Sequence, residues 1–246
     1  MSPASRPGQG PPPPATTAPD QLVSARDGRR YWQGVSADVD GMLGGVPSMP
    51  GFGSISRIDL QGSRTFLARL GIGLKGGRRP ISTVLEGGAG IGRVTEGLLL
   101  PLAEHVDIVE PMSKFTDVLQ GKSGVRTVFN VGLEDWLPPP GVEYDLVWTQ
   151  WCLGYLSDDH LVRFLRLCKT VLRPESGVIV VKENLNTSGT DLFDATDSSV
   201  LREDQSLRDI FQNAGLELVK TELQRGFPEM STKRLYPVRM YALKPC

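Results

Sequence analysis

Short apolar runs alternate along this chain with segments of helical periodicity. The runs fall at 81–85, 105–110, 125–131, 144–149 and 177–181, and the last is apolar at nearly every position. Runs of that kind read as strands buried on both faces of a sheet. Between them, 95–102 and 112–119 have helical potential. The segment 158–172 sets Leu161, Phe164, Leu165, Cys168, Val171 and Leu172 along one stripe, with Ser157 placed to cap it and Pro174 to end it. Strand–helix alternation at this spacing predicts an α/β fold, a parallel sheet with helices on both faces. A late helix at 201–214, stopped by Gly215, precedes strands at 216–224 and 238–243, which bring the sheet to seven strands.

The region ahead of the first run is different. A short helix over 21–36 carries Tyr31 and Trp32, and 38–45 is too rich in turn residues to hold a long regular element. Residues 52–58 read as loop or short strand, and a helix over 63–70 takes Asp59 or Ser63 as its N-cap. These pieces form an N-terminal helical cap, 21–75, on a Rossmann-like core, 76–246. The first 20 residues are dominated by Pro, Gly, Ser, Thr and Ala and bury too little apolar surface to offset chain entropy, so a disordered tail is expected there.

Charge and composition narrow the field. The net charge of the 246 residues is −1, so no overall field recruits nucleic acid. No apolar run approaches the roughly 18 residues that a membrane span needs, and the chain does not open on a charged-then-apolar leader. Cys152, Cys168 and Cys246 make no C-x-x-C pair and read as free thiols in a reducing compartment, the cytoplasm and also the nucleus. With only His105 and His160 present, neither a zinc site nor any other metal site is expected.

The candidate chemistry begins where the first strand ends. Glu86, Gly88, Gly90 and Gly92 form an acid-x-Gly-x-Gly-x-Gly series. Glycine permits a positive φ and lets backbone approach a ligand closely. A dinucleotide fingerprint needs a third glycine three residues after the second, and that position is Arg93. An acid before the glycines also suits a cationic amino-acid group better than a pyrophosphate. The loop therefore reads as one for S-adenosylmethionine (SAM), with a nucleotide loop as the lesser alternative. Glu110 closes the second strand about twenty residues further on, where an acid in this fold class reaches ribose hydroxyls. Residues 132–136 and 150–155 follow the third and fourth strands, at the sheet edge where ligands dock.

Several further blocks carry a resemblance. They are Tyr31-Trp32, the Val-Asp-Gly-Met-Leu-Gly-Gly of 39–45, Gln150-Trp151, Gly154, Leu172-Arg173-Pro174, Asn184 and the Asp-Ser-Ser-Val of 197–200. Together with the glycine loop, the chain resembles the protein N-terminal (Xaa-Pro-Lys) α-N-methyltransferases, SAM-dependent enzymes of the class I fold, from about Tyr31 to its end. The resemblance implies SAM as methyl donor, with S-adenosylhomocysteine as product. Donor contacts would come from Gly88, Gly90 and Arg93 with Glu86 behind them, from Glu110 with Pro111, from Leu133 with Gly132 and Glu134, and from Gln150. Met42, Leu43 and Gly44 would close over the donor. It further implies protein substrates with an exposed Xaa-Pro-Lys N-terminus, bound beside Trp32, Trp151, Asn184, Asp194, Asp197, Ser199 and Tyr236. A monomer is expected, with neither nucleic acid nor membrane as partner.

The chain departs from the family pattern in four places. Glu110 stands where Asp is frequent, Gly87 where Cys is found, and extra residues lie at 46–51. Tyr155 occupies a position, four after Trp151, that can be a histidine proposed as base. An α-amine is mostly protonated at pH 7, so the site must take up its proton and aim the lone pair. Asp197 is the first choice to accept the proton, directly or through water, with Tyr155 and Asn184 orienting the amine; the plainer role for Asp197 is to cap the helix that follows. Asp194 and Asp197 would meet the substrate lysine and Trp151 the proline. A SAM methyltransferase acting on a small molecule or another protein site, and a SAM-binding protein without catalysis, are the alternatives.

Overall fold

The computed structural model describes residues 17–228 and 235–246. The tail expected over 1–20 therefore lies outside the described residues as far as residue 16. Its last residues are anchored, since the Asp20 carboxylate accepts a hydrogen bond from the Asp158 amide at 3.1 Å. Helix α1 (Ala25–Gly34) is capped by Ser24, whose hydroxyl accepts from the Asp27 amide. A single turn, α2 (Val39–Met42), is capped by Asp38, and the longer α3 (Ile55–Arg69) completes the cap.

Helix α3 corrects the sequence reading in two ways. It begins eight residues early, absorbing 55–58 of the segment expected as loop or short strand. Asp59 and Ser63, expected as N-caps, lie one turn apart on its buried face. Polar residues at i and i+4 on the inner face broke the apolar stripe that would have announced the helix.

The core is built from β1 (Thr83–Gly87), β2 (His105–Val109), α4 (Ser113–Thr116), β3 (Val125–Phe129), β4 (Leu146–Gln150), α5 (Asp158–Thr170), β5 (Val178–Asn184), β6 (Leu192–Asp194), β7 (Ser199–Leu201), α6 (Asp204–Asn213), β8 (Leu216–Leu223) and β9 (Val238–Pro245). Seven strands form one sheet in the order β3-β2-β1-β4-β5-β9-β8, with β9 antiparallel to both its neighbours. Between β5 and α6 the chain forms a hairpin of β6 and β7 that pairs Asp194 with Ser199. Strand β5 also runs to Asn184, past the charged Lys182 at which the apolar run stops.

Side chains alternate across the sheet, so each strand serves two cores. Leu85, Val147, Ile179 and Val181 pack under α5 and α6. Val84, Leu146, Trp148 and Val180 pack under α3 and the turn at Thr95–Leu99. β1 and β4 are parallel neighbours from which the strand order runs in opposite directions. Such a switch point opens a crevice at the carboxyl ends of its strands, which here are Glu86–Gly90 and Gln150–Cys152.

Candidate functional site

Two cavities meet in that crevice. The first is lined by Glu86, Gly87, Gly88, Ala89, Gly90 and Arg93 from the β1 loop, by Glu110, Pro111 and Met112 after β2, by Gly132, Leu133 and Glu134 after β3, and by Gln150, Trp151 and Cys152 after β4. The second lies between the cap, β5, the β6–β7 hairpin and the start of β9, and contains Asn184, Asp197, Ser199 and Tyr236. Trp32, Met42, Trp151 and Tyr155 line both, and so form the passage from one to the other.

The glycines of the first cavity are there for room as well as for turn geometry. Gly88 has φ +69, and a Cβ on it would lie 2.4 Å from Cys152 Cβ; Gly90 has φ +54, and a Cβ there would lie 2.7 Å from Met42 Sδ. Glu110 accepts from the Gly90 amide at 3.0 Å and the Met112 amide at 2.9 Å, which ties the second strand to the glycine loop. Burial raises its pKa against the pull of those two amides. Glu86 is buried and accepts from Thr95 Oγ1 at 2.6 Å. Burial pushes its pKa up to about 8, outweighing the Thr95 hydrogen bond and the charge of Arg93.

Arg93 and Gln150 share an anchor that the sequence reading did not identify. Asp59 Oδ2 accepts from Arg93 at 2.8 Å, and both Asp59 oxygens accept from Gln150 Nε2. The wholly buried Lys182 ammonium sits 2.5 Å from Oδ1. Burial alone would raise the Asp59 pKa, but Lys182 and Arg93 together bring it below the ordinary carboxylate value. Arg93 also lies over the Trp151 ring at 5.3 Å.

Trp151 has φ 55, a left-handed conformation rare for a bulky side chain. Its turn is held by Glu183, also missed, whose Oε1 accepts from the Cys152 and Leu153 amides at 3.0 and 2.9 Å. Burial pushes the Glu183 pKa up to about 7 against those two amides. An acid two residues past the apolar run of β5 was the available signal for it. For Asp59 there was none, because its partners lie 34 to 123 residues away.

Helix α1 roofs the passage. Its Ser24 amide donates to Ser198 Oγ, Arg29 pairs with Glu134 at 2.5 Å, and Lys114 donates to the Gln33 and Val35 carbonyls. This sets the Trp32 ring edge-on to Phe115 and to Tyr155, at 6.1 and 6.0 Å. Tyr155 donates to Asp197 Oδ2 at 2.7 Å, while Oδ1 accepts from the Ser199 amide and hydroxyl. Burial, with the adjacent Asp197 charge, raises the Tyr155 pKa far beyond its ordinary value, so the phenol stays a donor. Asp197 closes a turn onto Ser199 and does not cap α6, whose N-cap is Glu203.

Two placements differ from the sequence reading. Leu43 and Gly44, expected over the donor, line the second cavity; of that trio only Met42 reaches both. Asp194 is exposed on β6, outside the cavity lining, with its carboxylate accepting from the Thr196 amide.

The first cavity suits a nucleoside bearing an amino acid. Among the described residues, Gln150 Oε1 and Trp151 Nε1 are both buried without a hydrogen-bond partner, an acceptor and a donor left over in the wall. The orphan acceptor suits an ammonium, and Arg93 lies close by for a carboxylate. Fold and site together define a SAM-dependent methyltransferase. The chain belongs to the AdoMet dependent proline di-methyltransferase family, whose model matches residues 20–244. It is 45% identical over 229 residues to the alpha N-terminal protein methyltransferase 1 of Schizosaccharomyces pombe, covering 92% of this chain and 98% of the relative. It is 41% identical over 223 residues to the N-terminal Xaa-Pro-Lys N-methyltransferase 1 of Homo sapiens, covering 88% and 93%. A solved SAM-dependent methyltransferase from Leishmania major superposes with a TM-score of 0.76 at 33% identity, covering 89% of this chain and 82% of that one.

Proposed function

We propose that this enzyme methylates the free α-amine of protein N-termini that begin Xaa-Pro-Lys, acting as a monomer. The observation that carries the reading is the shared passage: the acceptor cavity meets the donor cavity only through Trp32, Met42, Trp151 and Tyr155 among the described residues. A slender amine on an extended chain end fits such an approach. SAM supplies a methyl group on a sulfonium, open to in-line attack by a lone pair. Held in the donor cavity by the β1 loop, Glu110, Leu133 and Gln150, it would present that methyl at the passage.

The residues beyond the passage have separable tasks. Asn184 and the Asp197 carboxylate hold the amine and take its hydrogen bonds, and Asp197 receives the proton, directly or through water. Tyr155 acts as donor to Asp197 and fixes its direction, the part its retained proton allows. A base at Tyr155 itself is thereby set aside. Trp151 forms the wall against the substrate proline, and its ring and that of Trp32 also suit a methylated ammonium through cation–π attraction. Asp194, exposed at the hairpin, and Tyr236, 52% exposed, stand further out, where the third-position lysine would reach. Orientation of this kind is worth roughly 7–11 kcal/mol of barrier.

Mass spectrometry of a Ser-Pro-Lys peptide incubated with enzyme and SAM tests the reading. Mass increments of one methyl or more on the peptide, absent from its N-acetylated copy, are expected. Equal methylation of both peptides would move the site to a side chain. No methylation of either would point to another acceptor.

A further inference from the structure

Asp59 organises the polar wall of the donor cavity, although it does not line that cavity itself. Its side chain is wholly buried, and so is that of Lys182, which also donates to Ser63 Oγ and Gln224 Oε1 at 2.9 Å. The geometry around Gln150 is the telling part. A carboxylate only accepts hydrogen bonds, so the end of the Gln150 amide that faces Asp59 has to be the NH2 group. That choice turns Oε1 away from Asp59. The atom is buried, has no partner among the described residues, and belongs to a residue of the cavity wall. An amide without such a neighbour can turn end for end and present a donor just as well. Asp59 thus settles which face of the amide the cavity receives, and it holds Arg93 beside it at 2.8 Å.

We propose that Asp59 is a positioning residue that locks Gln150 as an acceptor, and that the donor cavity thereby selects ligands carrying an α-ammonium group. The proposal rests on the donor cavity alone. It stands or falls separately from the identity of the methylated amine.

Calorimetry with three probes tests it: S-adenosylhomocysteine, the analogue of it that lacks only the α-amine, and 5′-methylthioadenosine, which lacks the whole amino acid. The wild type is expected to bind S-adenosylhomocysteine about 30-fold more tightly than the des-amino analogue, the effect of one charge-assisted hydrogen bond in a buried site. In Asp59→Asn, residue 59 can meet either end of the amide, and the ratio falls below about threefold. Binding of 5′-methylthioadenosine stays within about threefold of wild type. An unchanged ratio, or an equal loss for all three probes, overturns the proposal.

Loss of Asp59 leaves Lys182 and Arg93 uncompensated, so the variant could fail to fold. A high-resolution structure of the wild type with S-adenosylhomocysteine then decides the matter. Oε1 on the ligand ammonium with Nε2 still on Asp59 supports the proposal. Either atom turned elsewhere refutes it.

Discussion

Glu86 offers a measurement in which stability and ligand binding pull in opposite directions. The folded chain holds the Glu86 proton up to about pH 8, whereas an ordinary glutamate releases it at 4.5. Between these values the unfolded chain binds fewer protons than the folded one. Stability contributed by this group is therefore complete below pH 4.5 and is lost as pH rises to 8, by about 1.4 kcal/mol per unit and about 5 kcal/mol in all. Glu86→Gln removes that slope. Denaturant unfolding of the ligand-free proteins from pH 5 to 8.5 should show the wild type weakening relative to the variant across this window. Comparing slopes cancels any constant cost of the substitution. Glu183 titrates in both proteins and drops out likewise.

The same carboxyl couples to the donor. At pH 7 it is roughly nine-tenths protonated, and ionising it costs about 1.4 kcal/mol, or tenfold in affinity. A cationic ligand group in the cavity favours the ionised form. Calorimetry in two buffers of different protonation enthalpy should therefore show SAM binding at pH 7 releasing close to one proton from the wild type and far less from Glu86→Gln. Parallel stability slopes for the two proteins, or equal proton release, would refute the reasoning.

Other expectations follow from the geometry of the passage and the loop. Gly88→Ala places a Cβ 2.4 Å from Cys152 Cβ at a φ of +69, and should weaken donor binding about 100-fold or more by calorimetry. Gly121→Ala has a similar φ of +70 with open space around it, and should cost only about 1 kcal/mol in unfolding without touching donor affinity. Tyr155→Phe removes the hydroxyl that holds Asp197, and kcat on an Xaa-Pro-Lys peptide should fall about 10-fold or more while donor affinity is unchanged. Full activity in Tyr155→Phe would remove the phenol from the acceptor site.

The sequence by itself determined the sheet, the glycine loop and most of the donor wall. Runs of apolar residues specify buried strands wherever they are read, and Glu86, Gly88, Glu110, Leu133 and Gln150 sit at strand ends whose positions those runs define. The short-range devices were legible for the same reason: Ser157 caps α5 because its hydroxyl reaches an amide three residues on. What the sequence could not show was pairing across distance. Asp59 and Lys182 look like surface residues in a linear reading, because a lone charge belongs in water. Only the packing of α3 against β5 brings the two charges together, and only then can both be buried. The β6–β7 hairpin is alike: its three-residue strands have no periodicity to read, and the Asp197 at its turn meets its donor, Tyr155, across 42 residues of chain. Local sequence places the groups that face a ligand. Tertiary contact decides which atom of each group points at it.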